Sequence, residues 1–169
     1  MSITDQLHKD IYEFQLNFDK LYLDCIPRLL DETGMFLAFL IFLTALDVLA
    51  GAYSAEKLPG LRFRSFAGLF LPLELRPFGP DLWKARNLMV HSFNPGNFGL
   101  VSGQSRLHLS KNHSVTMLNA QDLYAALVVS ARGYFTALQN NSELQEIFAK
   151  RISDDDGGAP ESYTVNEYY

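Results

Sequence analysis

The sequence predicts an all-α protein, an up-and-down helical bundle with a small β-hairpin insert. Three observations predict it. Apolar residues recur at spacings of three and four through residues 3–26 and again through 119–139, the period of a helix with one buried face. Residues 35–53 form an apolar run longer than a typical strand. Alternating segments occur only between residues 97 and 118, and each is short.

In chain order, Ile3, Leu7, Ile11, Phe14, Phe18, Leu21 and Cys25 mark the buried face of a first helix. Pro27 interrupts it, and Asp31-Glu32-Thr33-Gly34 reads as the turn before the next. Residues 35–53 are apolar nearly all round, which makes them the central element of the core. A short helical piece spans 61–71 and is closed by Pro72. Pro77, Gly79 and Pro80 then form a connector to a helix over 81–92, with Asp81 as its N-cap. That helix ends at Asn94-Pro95-Gly96.

Residues 97–101 and 106–110 flank Ser102-Gly103-Gln104-Ser105, a pattern that predicts a hairpin. A further extended piece is expected at 115–118. Asn119 caps a long helix to about residue 139, with Leu123, Ala126, Leu127, Ser130, Tyr134 and Leu138 on one face. A last helix covers 143–151. The predicted organisation is a helical domain over 1–152 and an acidic, flexible C-terminal tail over 153–169.

Composition narrows the function classes. A 48% hydrophobic, 20% charged chain is an ordinary globular balance. Cys25 is the single cysteine, which excludes an intrachain disulfide and a thiolate metal cluster. A reducing, cytoplasmic setting is the expectation. The first residues carry charge and no apolar run, so no secretory signal is expected. Residues 35–53 satisfy a membrane-span window, but Asp47 sits inside it, and a carboxylate in hydrocarbon costs roughly 3 kcal/mol or more. No membrane partner is predicted.

The net charge of −5 is equalled by the tail alone, where Asp154, Asp155, Asp156, Glu161 and Glu167 meet no Lys or Arg. Residues 1–152 are therefore neutral, and a local basic groove remains open.

Chemistry concentrates in 81–92, DLWKARNLMVHS. At about 100° per residue, Asn87 and His91 are one turn apart on one face. Lys84 joins that face, and Arg86 is offset by one position. Imidazole titrates near neutrality, so it can take the proton of a ribose 2′-OH or return one to a leaving 5′-oxygen. Guanidinium can hold a phosphate through paired hydrogen bonds. One strip supplies too few groups for RNA cleavage, whereas two strips meeting across a two-fold axis supply enough.

Arg86-Asn87-Leu88-Met89-Val90-His91 resembles the R-N-x3-H signature of HEPN domains (higher eukaryote and prokaryote nucleotide-binding). The helical order is similar across residues 1–152, while the motif likeness is confined to 81–92. The resemblance implies a homodimeric α-bundle, often a metal-independent endoribonuclease of toxin–antitoxin or antiviral defence systems. It makes Arg86 and His91 catalytic and Asn87 supporting, with RNA as substrate and an antitoxin or effector protein as partner. Some members bind without cutting, so the alternative is a nucleotide-, RNA- or protein-binding module. One departure is clear. Toxins paired with a minimal nucleotidyltransferase carry a modified tyrosine two residues after the histidine, where this chain has Phe93. Phenylalanine has no hydroxyl to adenylylate.

Other residues admit two readings. Asp47 is either a core carboxylate satisfied by an amide or arginine, or a group orienting Arg86 or His91. Arg62 and Arg64, interleaved with Phe63, are either a solvated face or an extension of a phosphate-contacting surface. His8, His108 and His113 are scattered without metal-ligand spacing, and neither a metal nor a cofactor is predicted. The tail is either a disordered segment or an autoinhibitory mimic of phosphate whose carboxylates compete with RNA for the groove.

Overall fold

A computed structural model describes residues 3–155. Among them are six α-helices and three short strands, a mainly helical fold with a small sheet. The helices are α1 (Ile3–Phe18), α2 (Met35–Tyr53), α3 (Pro59–Phe70), α4 (Gly79–Ser92), α5 (Ala120–Asn140) and α6 (Ser142–Asp155).

The first helix departs from the expected register. Past α1 the chain makes a π turn over Asp19–Leu23. A π turn carries one more residue per hydrogen-bonded ring than an α turn, so the buried face shifts. Leu23 and Ile26 are buried in place of Leu21, which is 59% exposed, and Cys25, which is also exposed. The same shift turns Tyr22 toward the core, where its ring meets Phe18 at 5.0 Å.

The Asp31 carboxylate takes the Gly34 amide proton at 2.7 Å and sets the entry to α2. Gly34 is required there, because a Cβ would lie 2.7 Å from the Leu29 carbonyl oxygen. α2 is the central element and packs on α3, α4, α5 and α6. Ala38, Phe39, Phe42, Leu43, Leu46, Leu49 and Ala50 are buried. Its 19 residues, at a mean hydropathy of 2.3, are long and apolar enough to cross a membrane, and half of that span is buried inside the fold. A stripe through Leu37, Ile41, Thr44, Asp47, Val48 and Gly51 is only partly covered.

α3 opens on Pro59, the position where a missing amide proton costs least. Arg76 closes it by donating to the carbonyls of Leu71 at 2.7 Å and Leu69 at 2.8 Å. α4 begins earlier than expected, at Gly79. Asp81 therefore lies in its first turn and not at the N-cap, which is Phe78. The carboxylate still favours the positive end of the helix dipole.

The predicted hairpin is corrected. β1 (Phe98–Val101) pairs in parallel with β3 (Val115–Asn119), and β2 (Lys111–Asn112) pairs antiparallel with β3. The tight hairpin is β2–β3, turning through His113 at φ +57. Residues 105–107 form a 3₁₀ turn in place of a second strand. The cause lies in Asn119, which is fully buried. Its side-chain oxygen accepts the Gln104 amide at 3.0 Å, and its Nδ2 donates to Ser105 Oγ at 3.3 Å. Gln121 adds to them, its Oε1 accepting the Gly103 amide at 2.9 Å, and together these bonds hold 103–105 at the start of α5 and away from an antiparallel place beside β1.

Asn119 is the N-cap residue of α5 as expected, but its side chain serves the loop and Asp122, and not its own helix amides. The predicted inner face of α5 is buried throughout, including Leu123, Leu127, Ser130, Tyr134 and Leu138. Tyr134 centres an aromatic cluster with Tyr53, Phe66, Phe70 and Phe135. Burial pushes its phenol far above the ordinary range. α6 is capped by the Asn141 side chain, which accepts the amides of Glu143 and Leu144. It runs to Asp155, past the expected start of the tail; residues 156–169 lie outside the described residues.

Candidate functional site

α4 projects the candidate residues because Leu82, Ala85 and Met89 bury its opposite face. Trp83 fixes the helix against α3, its ring 5.4 Å from Phe63. Gly60 permits that approach, since a Cβ there would meet the Trp83 indole nitrogen at 2.7 Å.

The structure brings Arg86, Asn87 and Asp47 together. Arg86 Nη2 lies 3.0 Å from Asp47 Oδ2, a pair only partly open to solvent. Arg86 Nη1 also donates to Asn87 Oδ1 at 3.3 Å, and its guanidinium carbon stands 5.7 Å from the Trp83 ring centroid. One guanidinium is thus held on three sides. Arg86 Nε and Asp47 Oδ1 are buried without a hydrogen-bond partner. The ion pair answers the structural reading of Asp47, a carboxylate meeting an arginine at the edge of the core.

His91 is exposed in the last turn of α4, and its imidazole has no hydrogen-bond partner among the described residues. Lys84 is exposed one turn before Asn87. Immediately after the histidine the chain adopts an unusual conformation. Phe93 is left-handed at φ 51 and ψ 32, with its amide returned to the Leu88 and Met89 carbonyls. Its side chain is 79% exposed.

The two α3 arginines separate. Arg64 is exposed and donates back to the Gly60 carbonyl of its own helix at 2.9 Å. Arg62 points the other way, into a cavity of about 340 Å³ that Asp47 also lines. Two residues near Asp47 carry no sequence signal. Arg151 reaches the same cavity from α6. Tyr22 arrives through the π turn, and burial, assisted by the negative charge of Asp47, raises its phenol pKa. Among the described residues no group of three or more His, Cys, Asp or Glu side chains comes together as a metal site.

No family model, curated protein or solved structure matches the chain. The chemistry of this site therefore rests on its own residues.

Proposed function

We propose that the chain is a HEPN-like, metal-independent endoribonuclease acting on single-stranded RNA in the cytoplasm, as part of a toxin–antitoxin or antiviral defence system. The active unit is a homodimer in which two α4 strips face each other. The observation that carries this reading is Arg86, steered by Asp47 and Asn87, followed by an exposed His91 five residues on.

In this reaction the unprotonated His91 of one copy takes the proton from a ribose 2′-OH. The 2′ oxygen bonds to phosphorus as the bond from phosphorus to the 5′ oxygen breaks. The protonated His91 of the second copy delivers a proton to that 5′ oxygen. The products are a 2′,3′-cyclic phosphate and a 5′-hydroxyl. Arg86 offsets the charge growing on the phosphate oxygens. Asn87 keeps the guanidinium plane in place, and Lys84 extends the basic strip. Water is not consumed in this step, and no cofactor takes part.

One observation favours a second reading, a non-catalytic module that holds RNA, a nucleotide or a protein. Asp47 already meets the charge of Arg86, and that leaves less of it for a phosphate.

Cleavage of single-stranded RNA in EDTA separates the two. His91→Ala and Arg86→Ala are each expected to lower the rate at least about 100-fold relative to wild type. Cleavage that survives both substitutions rejects the mechanism, and RNA binding without cleavage by the wild-type chain selects the second reading.

A further inference from the structure

The cavity between α2, α3 and α6 has a chemistry that the α4 strip does not use. Its floor is α2 at Asp47, Val48 and Gly51; Phe14 and Phe148 contribute aromatic walls. Two guanidinium groups enter it from different helices. The Arg62 side chain has no hydrogen bond or ion pair with any described residue, and its Nε is buried without a partner. Arg151 donates Nε to the Ser54 carbonyl at 3.2 Å and Nη2 to the Glu56 carbonyl at 3.1 Å. Both acceptors are neutral, so among the described residues its charge is unmatched too.

Among the described residues no carboxylate offsets this pair. Asp47 is the acidic residue of the lining, and Arg86 already engages it at 3.0 Å. The carboxylate of Glu56 is turned to the Leu58 amide at 3.0 Å. A partly enclosed cavity with two like charges is unfavourable until an anion enters. Arginine forks match planar, bidentate oxyanion recognition.

We propose that this cavity binds a small phosphomonoester carrying a ring-sized apolar group, with Arg62 and Arg151 on the phosphate. Charge selects the monoester. It carries about −1.5 to −2 at neutral pH, which balances two guanidinium groups, whereas a carboxylate or a phosphodiester balances one. Size agrees: about 340 Å³ lies at the small end of the range of roughly 300–1,000 Å³ for ligand pockets. The remaining wall of Phe14, Val48, Phe148 and Ile152 suits a ring and not a second charged group. Asp47 is shared with Arg86, so an occupant here sits beside the residue that aims the candidate catalytic arginine. The inference does not depend on RNA cleavage.

Gly51 supplies a clean way to block the site. A Cβ there would meet nothing within 4 Å except Arg62 Nη2 at 4.0 Å, so a side chain can be started at this lining position without a clash. The test is calorimetric titration of the full chain with phenyl phosphate, methyl phenyl phosphate and inorganic phosphate. Phenyl phosphate is expected to bind saturably, one per chain, and at least tenfold more tightly than the other two. Arg62→Gln and Arg151→Gln should each weaken it at least tenfold, and Gly51→Leu should abolish it with an unchanged or higher melting temperature. Arg64→Gln, on the exposed side of α3, and His91→Ala should bind as wild type does. Arg151 ties α6 to the 54–56 turn, so Gly51→Leu, which leaves those bonds intact, decides the matter if Arg151→Gln unfolds. Absence of saturable binding, or binding indifferent to Arg62→Gln and Gly51→Leu, overturns the proposal. Diester binding as tight as the monoester also overturns it and assigns the cavity to an RNA backbone.

Discussion

Arg86 and Asp47 join α4 to α2 across a 3.0 Å ion pair, so the arginine singled out by the motif is also a structural tie. Both side chains are partly shielded, at 27% and 13% exposure, so removing one partner leaves a charge that water compensates less well than at the surface. Asp47→Asn keeps the shape and removes the charge. It is expected to cost about 1.5–3 kcal/mol of stability, the range for a hydrogen bond to a charged group. Under the ribonuclease reading it also lowers cleavage, because Arg86 loses its aim, while RNA affinity holds or rises as a negative charge leaves the groove. A double-mutant cycle with Arg86→Gln, followed by urea denaturation, should give a coupling of about 1 kcal/mol or more. Additive losses would show that the two side chains do not act as a unit.

The helices were legible where their signals are local. The inner face of α5 follows from its three-and-four spacing and α2 from the length of its apolar run, and both helices lie where those signals place them. What escaped is non-local. The π turn at Asp19–Leu23 moves the buried face from Leu21 and Cys25 to Leu23 and Ile26, and no composition signal marks an inserted residue. The hairpin lies later than its pattern predicts because the buried Asn119 side chain, 14 to 15 residues along the chain, holds Gln104 and Ser105. Within the site, Arg86, Asn87 and Asp47 could be named from sequence. Arg151 could not, since only the packing of α6 against α2 brings it beside Arg62.

Phe93 holds a conformation that costs a side-chain-bearing residue about 1–2 kcal/mol. Glycine adopts it freely at this position after a helix. At 79% exposure the ring returns little burial energy to the single chain. Phe93→Gly is therefore expected to raise stability by about 0.5–1 kcal/mol after the added entropy of glycine in the unfolded chain. That corresponds to a rise of a few degrees in melting temperature for a chain of this size. A fall in melting temperature at dilute concentration would contradict the strain argument. In the proposed dimer the exposed ring beside His91 contributes contact area, so the same substitution should weaken self-association in sedimentation velocity.

His108 links pH to the loop that covers the start of α5. Its Nδ1 accepts the Asn119 amide proton at 3.1 Å, which requires that nitrogen to be unprotonated. Burial lowers its pKa below the ordinary value, against the opposing charges of Asp122 and Glu74. In the unfolded chain the imidazole titrates near 6.5. As pH falls below about 6.5 the unfolded chain takes up the proton first, so stability drops. The drop ends once the folded imidazole titrates too, and above about 7 the contribution is level. Protonation also breaks the bond to Asn119, whose side chain holds Gln104, Ser105 and Asp122, so amides of 104–110 should exchange faster at acid pH. Urea denaturation from pH 8 to 5 should show a decline that is smaller in His108→Gln, whose side-chain oxygen can accept the same proton without titrating. An identical decline in that variant would place the pH dependence on other groups.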